Sequence, residues 1–376
     1  MIYLDSAATT LQKPPLVARA AVWATGNLSS PGRGGYSAAV EAADTAFACR
    51  ESAAELFNVK DPSNVVFTHN ATHGLNIAIK SLARPGDRVL ISGYEHNAVT
   101  RPLYAIGANT VVAVSELFEP EMALHAFECR LTGGLAAVVC NHVSNVFGYI
   151  LPIERIAAAC RECGIPLIID ASQSAGMIDI DFQKLGAAYA AMPGHKGLYG
   201  PQGTGLLLCA RIPDGIIQGG TGGNSRPPGM PEFLPDRLEA GTHNMPGIAG
   251  LSAGLGFVRK KGVKGILEHE QKLTQKAANG LMRLDRVKVY RSEFGYCQTG
   301  VLSFIIEGIP CETVGQELSR RGIAVRAGLH CAPLAHKTAD TVSTGTVRTS
   351  VSAFNTAKDI AVFIGAVEDI IRSADA

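Results

Sequence analysis

The chain has 376 residues, 47% of them hydrophobic and 18% charged, with a net charge of +1 at pH 7. That length exceeds a single small core and points to two domains, or to a large domain with a smaller appendage. With no basic stripe and no long charge run, the composition argues against nucleic acid and anionic membrane as main partners.

The opening Met1-Ile2-Tyr3-Leu4-Asp5 carries no basic leader and no apolar stretch before a cleavage site, so it does not read as a signal peptide. No apolar run reaches the roughly eighteen residues that a membrane-spanning helix needs, and a cytoplasmic protein is the expectation. Pro31-Gly32-Arg33-Gly34-Gly35 looks like a phosphate loop but has no strand before it; it reads as a mobile segment beside an active-site mouth. Short β-rich runs then alternate with helical ones. The strands fall at 64–68, 88–92, 110–114, 136–141, 167–170, 188–192 and 205–209, with helices at 72–82, 98–106, 120–131 and 153–163. Apolar strands alternating with helices predict an α/β domain with a mostly parallel seven-stranded sheet covered on both faces. Ligands of such sheets sit beyond the carboxyl ends of the strands.

From about residue 260 the texture changes. A helix over 266–284 leads to strands at 287–290 and 301–307, a helix at 311–321, a strand at 323–326 and a last helix at 356–371. The expected division is a large domain over 15–259 and a smaller α+β domain built from 1–14 and 260–376. The nine cysteines are scattered without a framework spacing, as expected of small buried hydrophobes in a reducing compartment. Cys160 and Cys163 end a helical run, whereas a redox C-x-x-C opens a helix. No second ligand pair accompanies them to suggest a metal.

The chemistry gathers at a few positions. Lys196 stands in Met192-Pro193-Gly194-His195-Lys196-Gly197-Leu198-Tyr199-Gly200-Pro201, whose glycines let backbone approach a ligand. A lysine there can sit against a fixed cofactor and lose its proton readily; the plainer alternative is a surface lysine. Asp170 ends an apolar strand, where a carboxylate needs a cationic partner such as a protonated pyridine nitrogen, or else caps the following helix. Gln173 and Asn145 can hold a ring oxygen. His96, after the strand at 88–92, can stack on a ring and carry protons, or be an ordinary loop histidine.

Asn70-Ala71-Thr72-His73-Gly74 links a strand to a helix. Its backbone N–H groups and the Thr72 hydroxyl form a phosphate seat, with a plain N-cap as the competing reading. His195 is a second phosphate candidate. Arg348 offers a planar fork for a substrate carboxylate, or is a surface arginine. Arg326 reads as setting the loop of Cys331, a thiol whose neighbour His330 can favour the thiolate. A buried inert cysteine is the alternative there, and a zinc site of His330, Cys331 and His336 lacks a recognisable fourth ligand.

Together these residues resemble the class V aminotransferase group of fold-type I pyridoxal phosphate enzymes, and within it the group II cysteine desulfurases and selenocysteine lyases. The likeness runs from Tyr3-Leu4-Asp5-Ser6-Ala7-Ala8-Thr9-Thr10 to Ala353-Phe354-Asn355-Thr356. The Gly194-His195-Lys196 turn with Asp170-x-x-Gln173 upstream carries the class. The stretch Gly322-Ile323-Ala324-Val325-Arg326-Ala327-Gly328-Leu329-His330-Cys331 carries the desulfurase group.

The resemblance implies a homodimeric enzyme using pyridoxal 5'-phosphate. Lys196 would be the Schiff-base lysine, Asp170 the pyridinium partner and His96 the stacking histidine. Gln173 and Asn145 would hold the ring oxygen; Thr72, Ala71 and His195 would hold the phosphate. Glu239-Ala240-Gly241-Thr242 matches the segment through which the other protomer supplies Thr242 to that phosphate. Arg348, Asn145 and Ala8 would bind the substrate, L-cysteine or selenocysteine. Cys331 would form a persulfide for a sulfur-acceptor protein. Three departures bear on cofactor affinity and substrate preference: Pro193 for a frequent serine, Ser172 for a usual alanine, and His243 for a common proline. The alternatives are another class V reaction, by a selenocysteine lyase, aminotransferase or epimerase, or a sulfur relay protein without cofactor.

Overall fold

The computed structural model describes residues 1–32, 34–223 and 226–374. Arg33, at the centre of the glycine-rich stretch read as a mobile segment, lies outside the described residues. The chain opens with β1 (Ile2–Tyr3), α1 (Pro15–Asn27) and α2 (Ser37–Phe57). An alternating stretch follows: β2 (Val65–Thr68), α3 (Ala71–Leu82), β3 (Arg88–Ser92), α4 (Asn97–Ala105), β4 (Asn109–Ala113), α5 (Pro120–Glu128) and β5 (Leu135–Asn141). It continues through α6 (Ile153–Glu162), β6 (Leu167–Asp170), α7 (Phe182–Leu185), β7 (Tyr189–Pro193) and β8 (Gly205–Cys209).

These strands form one sheet in the order β2-β8-β7-β6-β5-β3-β4, in which β8 alone among the described strands runs against its neighbours. Side chains along the central strands alternate between two cores. Val138, Ile169 and Ala190 enter one, and Val139, Ile168 and Ala191 enter the other. That is the period of two expected of strands covered on both faces. The strand order reverses between β3 and β5, and such a reversal opens a crevice at the carboxyl edge.

The remaining elements are α8 (Met245–Lys261), α9 (Val263–Leu281), β9 (Val287–Tyr290), β10 (Val301–Ile306), α10 (Cys311–Arg320), β11 (Ile323–Ala324), β12 (Arg326–Gly328), α11 (Pro333–Thr338), β13 (Thr346–Ser350) and α12 (Ala357–Ala374). An antiparallel sheet in the order β12-β13-β10-β9 packs Leu302, Phe304 and Val347 against Phe363 and Val367 of α12. β1 pairs in parallel with β11, and Leu4 enters the same core, so the first residues join the C-terminal part of the molecule.

Two expectations need correction. The single strand at 323–326 is two strands: Ile323–Ala324 pairs with β1, and Arg326–Gly328 pairs with β13. Five helices went unanticipated: α1, α2 and α8, and the short α7 and α11. α8 is rich in glycine, which reads as helix-breaking. Here the glycines serve close packing: a Cβ on Gly254 would stand 2.3 Å from the Leu198 carbonyl oxygen and 2.9 Å from the Gly200 nitrogen. α8 thereby braces the turn that carries Lys196. Among the described residues no helix is long and apolar enough to cross a membrane.

Candidate active site

A cavity opens at the carboxyl edge of the large sheet. Asn70, Ala71 and Thr72 wall it at the start of α3, and His96 before α4. Asn141 ends β5 and Val143 and Asn145 follow it; Asp170 ends β6 and Ser172 and Gln173 follow it; Pro193 ends β7 and His195 and Lys196 follow it. Eight of the residues singled out in the sequence therefore share one wall: Ala71, Thr72, His96, Asn145, Asp170, Gln173, His195 and Lys196.

Lys196 is half-buried, and burial pushes its ammonium down to about 8 against the opposing pull of Asp170. An amine so placed is neutral in roughly one molecule in ten at pH 7, far more often than an ordinary lysine. Asp170 is the last residue of β6, buried, and its Oδ1 accepts a hydrogen bond from the Ser172 amide at 2.9 Å. The capping alternative thus holds in part, as a turn made by one carboxylate oxygen. His96 is the N-cap of α4, its Nδ1 accepting from the Ala98 amide at 3.0 Å. An accepting Nδ1 carries no proton, so the imidazole proton sits on Nε2. Burial lowers the His96 pKa, partly offset by Asp170.

The seat at the start of α3 is capped by Asn70, whose side chain accepts from the His73 amide at 2.9 Å. The Thr72 hydroxyl is therefore not the cap. His195 is half-buried and its Nδ1 has no partner; burial and the nearby Lys196 and Lys13 push its pKa down to about 4. Its carbonyl accepts from Lys13 Nζ and from the Thr10 hydroxyl, which fasten the lysine turn to the N-terminal segment. Gln173 donates to the Ala7 carbonyl at 2.9 Å, a second tie to that segment.

Asn145 connects three parts of the site. Its amide donates to the His330 carbonyl at 2.8 Å, its own carbonyl accepts from Arg348 at 2.9 Å, and its Oδ1 is buried without a partner. Arg348 is 2% exposed on β13 and lies behind the cavity rather than in its wall. Its Nη2 donates to Asp5 at 2.8 Å and its Nε has no partner. Asp5 also takes Nε and Nη2 of Arg326, at 3.1 and 2.9 Å. Ala8 sits in a turn closing on the Asp5 carbonyl, one residue from the carbonyl that holds Gln173, and is not part of the cavity wall.

Cys331 is exposed in the loop after β12. It and His330 have φ of 56° and 51°, two successive left-handed residues that are neither glycine nor asparagine. The loop is tied to the site where its Cys331 carbonyl accepts from the Asn97 amide at 2.8 Å, one residue after His96. One expectation fails here: His330 does not supply positive charge to the thiol. Burial and the nearby Arg348 push its pKa down to about 2, and its Nε2 is turned to Thr346 at 3.1 Å. Arg326, read as setting this loop, is held by Asp5 and has Cys331 among the groups around it. The His330 and His336 rings stack 5.6 Å apart, and among the described residues no cluster of three His, Cys, Asp or Glu is disposed to hold a metal. Cys160 is buried with its thiol pushed up to about 12, and Cys163 is exposed at the end of α6.

Thr242 is exposed and lines a separate cavity with Thr68, His69 and His73 rather than the one that holds Lys196. Its segment is anchored by Glu239, which is buried against Arg50, accepts the Phe67 amide at 2.6 Å and meets His243 Nε2 at 2.6 Å. That contact accounts for histidine at 243: it ties the segment down by a hydrogen bond. Sequence reading missed Glu95, the roles of Asp5 and Lys13, and the Arg50–Glu239 pair. An acid beside His96, three residues after the strand at 88–92, was the one visible signal for Glu95.

The comparisons agree with this geometry. Residues 2–363 match the family model described as aminotransferase class-V. A probable cysteine desulfurase of Methanothermobacter thermautotrophicus is 31% identical, covering 98% of this chain and 94% of its own. The apo structure of a cysteine desulfurase from Thermococcus onnurineus NA1 superposes with a TM-score of 0.90 at 27% identity, covering 99% of this chain and 95% of that one. The cysteine desulfurase CsdA of Escherichia coli gives a TM-score of 0.85 at 26% identity over 98% and 94% of the two chains. With a family model spanning nearly its whole length and relatives of matching extent, this chain belongs to the class-V aminotransferase family.

Proposed function

We propose that this enzyme is a pyridoxal phosphate-dependent cysteine desulfurase, converting L-cysteine to L-alanine and leaving the sulfur on Cys331. The observation that carries the reading is the double role of Asn145, which lines the cavity of Lys196 and Asp170 and fastens the Cys331 loop and Arg348 to it. The residues fit the cofactor. His195 Nδ1 and Asn145 Oδ1 are buried polar atoms without partners in the walls of this cavity, where a polar ligand is called for. Asp170 would hold the ring nitrogen, His96 the ring face, and Gln173 and Asn145 the ring oxygen. Ala71, Thr72 and His195 would hold the phosphate, with Thr242 of the partner subunit completing it in a homodimer. Bound there, the cofactor supplies an electron sink for charge at the substrate α-carbon.

The chain's own groups do the rest. Lys196 Nζ, whose ammonium burial makes easier to deprotonate, removes the α-proton. The spare Nε of Arg348, together with Asn145 and the turn at Ala8, orients the substrate carboxylate. The Cys331 thiolate attacks the substrate sulfur; the carbon–sulfur bond breaks, a sulfur–sulfur bond forms, and the carbon fragment is protonated and leaves as alanine. An acceptor protein with a thiol then takes the sulfur from the exposed loop.

The test is incubation of purified, cofactor-loaded protein with cysteine and with selenocysteine, measuring alanine from each and the mass of Cys331. Alanine from cysteine with one added sulfur on Cys331 supports the reading. Alanine from selenocysteine alone makes the protein a selenocysteine lyase.

A further inference from the structure

Glu95 lies between Tyr94 and His96 and is fully buried, yet it touches neither the cavity nor any cation. Its surroundings pose a hydrogen-counting problem. Ser92 Oγ stands 2.6 Å from Glu95 Oε1 and 2.7 Å from Asn141 Oδ1. The Asn141 amide cannot be turned round, because its Nδ2 donates to the Tyr94 carbonyl at 2.9 Å. Asn141 therefore presents an acceptor to Ser92, and the single hydroxyl proton of Ser92 is committed to it. The short contact between Ser92 Oγ and Glu95 Oε1 then needs a proton from the other side. A carboxylate has none to give; a carboxylic acid does.

We propose that Glu95 works as a neutral carboxylic acid, donating to Ser92 Oγ, which donates to Asn141 Oδ1, so that the floor of the cavity carries one negative charge, on Asp170. The chain of bonds ends at the site. Asn141 lines the cavity and is the register partner of Asp170 across β5 and β6, and its backbone N–H donates to Glu95 Oε1 at 2.8 Å. Glu95 is a positioning residue in this scheme: it fixes the end of β5 and leaves Asp170 as the sole anion to face a cationic ring. This last consequence rests on the cofactor reading; the protonation of Glu95 does not.

The ionisable groups around Glu95 agree. Tyr94 and His96 flank it on its own segment, β5 brings Cys140, and β6 brings Asp170. No cation among them pairs with Glu95. Burial, with a smaller push from Asp170, raises its pKa to about 8, and burial keeps Cys140 a thiol. At pH 7 the acid form therefore dominates. Above pH 8 a second carboxylate would appear behind Asp170, and the contact with Ser92 would lose its proton.

The experiment uses infrared difference spectra of the cofactor-free protein at pH 7, wild type against Glu95→Gln, with Glu270→Gln as a control for the other buried acid. The expected result is an unionised carboxyl band lost in Glu95→Gln and shifted in Ser92→Ala, which removes the acceptor of its proton. No difference between wild type and Glu95→Gln at pH 7 means that Glu95 is ionised and overturns the proposal; so does a band unmoved by Ser92→Ala. In loaded enzyme, the alkaline fall of kcat should move to higher pH in Glu95→Gln, whose amide mimics the acid and does not ionise. Coincident alkaline limbs, with the variant folded, overturn the single-charge role. Should the protein form no alanine from cysteine while the infrared result stands, the functional reading falls and the neutral acid remains.

Discussion

Asp5 is a residue whose role lies entirely in its partners. One carboxylate oxygen holds Arg348 and the other holds Arg326, so a single acid orients both the guanidinium behind the cavity and the arginine that faces the cysteine loop. With its side chain 10% exposed and that of Arg348 3% exposed, Asp5→Asn leaves a buried charge uncompensated. The expected cost is roughly 3–5 kcal/mol in urea denaturation. Cys331 makes the opposite kind of residue: it is exposed, and its side chain supports nothing around it. Cys331→Ala should leave stability within about 0.5 kcal/mol, keep the cofactor's visible absorbance and stop alanine release from cysteine. Unchanged desulfuration, or a persulfide mapped to another cysteine, would remove Cys331 from the reaction. Lys196→Ala should abolish both turnover and the lysine-bound cofactor spectrum, since no other group in the cavity wall is an amine. Full alanine production by that variant would refute the assignment.

At the scale of elements, the sequence was most readable where structure is local. The strands at 88–92, 167–170 and 205–209 agree with β3, β6 and β8 because each is a continuous β-rich run that its own neighbours delimit. The lysine turn and the acid at the strand end were legible for the same reason. β13 was not, since Thr-Val-Arg-Thr-Ser has little apolar pattern and becomes a strand through pairing with β10 and β12. Asp5 and Arg348 are 343 positions apart, and no spacing rule reaches that far. α8 hides for a further reason: its glycines lower helix propensity and are kept for contact with the lysine turn. That contact is testable. Gly254→Val would drive its Cβ into the Leu198 carbonyl, an overpacking worth roughly 1–3 kcal/mol or more. The same displacement reaches Gly200 and the turn before it, so cofactor affinity should fall along with the melting temperature. A variant with lowered melting temperature and unaltered cofactor binding would separate α8 from the lysine turn.

Across the whole molecule, buried ionisable groups set where in pH the fold is most stable. Glu95 between β3 and α4 and Glu270 on α9 are fully buried, and burial raises each to about 8 from an unfolded value of 4.5. Between those values the folded state keeps a proton that the unfolded state has lost. Their stabilisation is complete below pH 4.5 and drains away as pH rises toward 8. His142, His195, His330 and His336 act in the opposite sense. Burial lowers them to about 4, 4, 2 and 4 from an unfolded value of 6.5, so below pH 6.5 the unfolded state binds the extra protons and stability falls with acid. Each group contributes a slope of roughly 1.4 kcal/mol per pH unit within its own window. Between pH 4.5 and 6.5 these four histidines outweigh two acids and stability rises. From pH 6.5 to 8 the histidines are silent and the two acids pull it down, opposed only as pH nears 8 by Lys13 and Lys196, which burial lowers to about 8. Cofactor-free protein, in which Lys196 is not engaged, should therefore be most stable near pH 6.5 in denaturant titrations. The Glu95→Gln/Glu270→Gln double variant should lose the decline toward pH 8, because neither amide ionises. A wild type as stable at pH 8 as at pH 6.5, or a double variant with the same decline, would mean that these acids are already ionised in the folded protein.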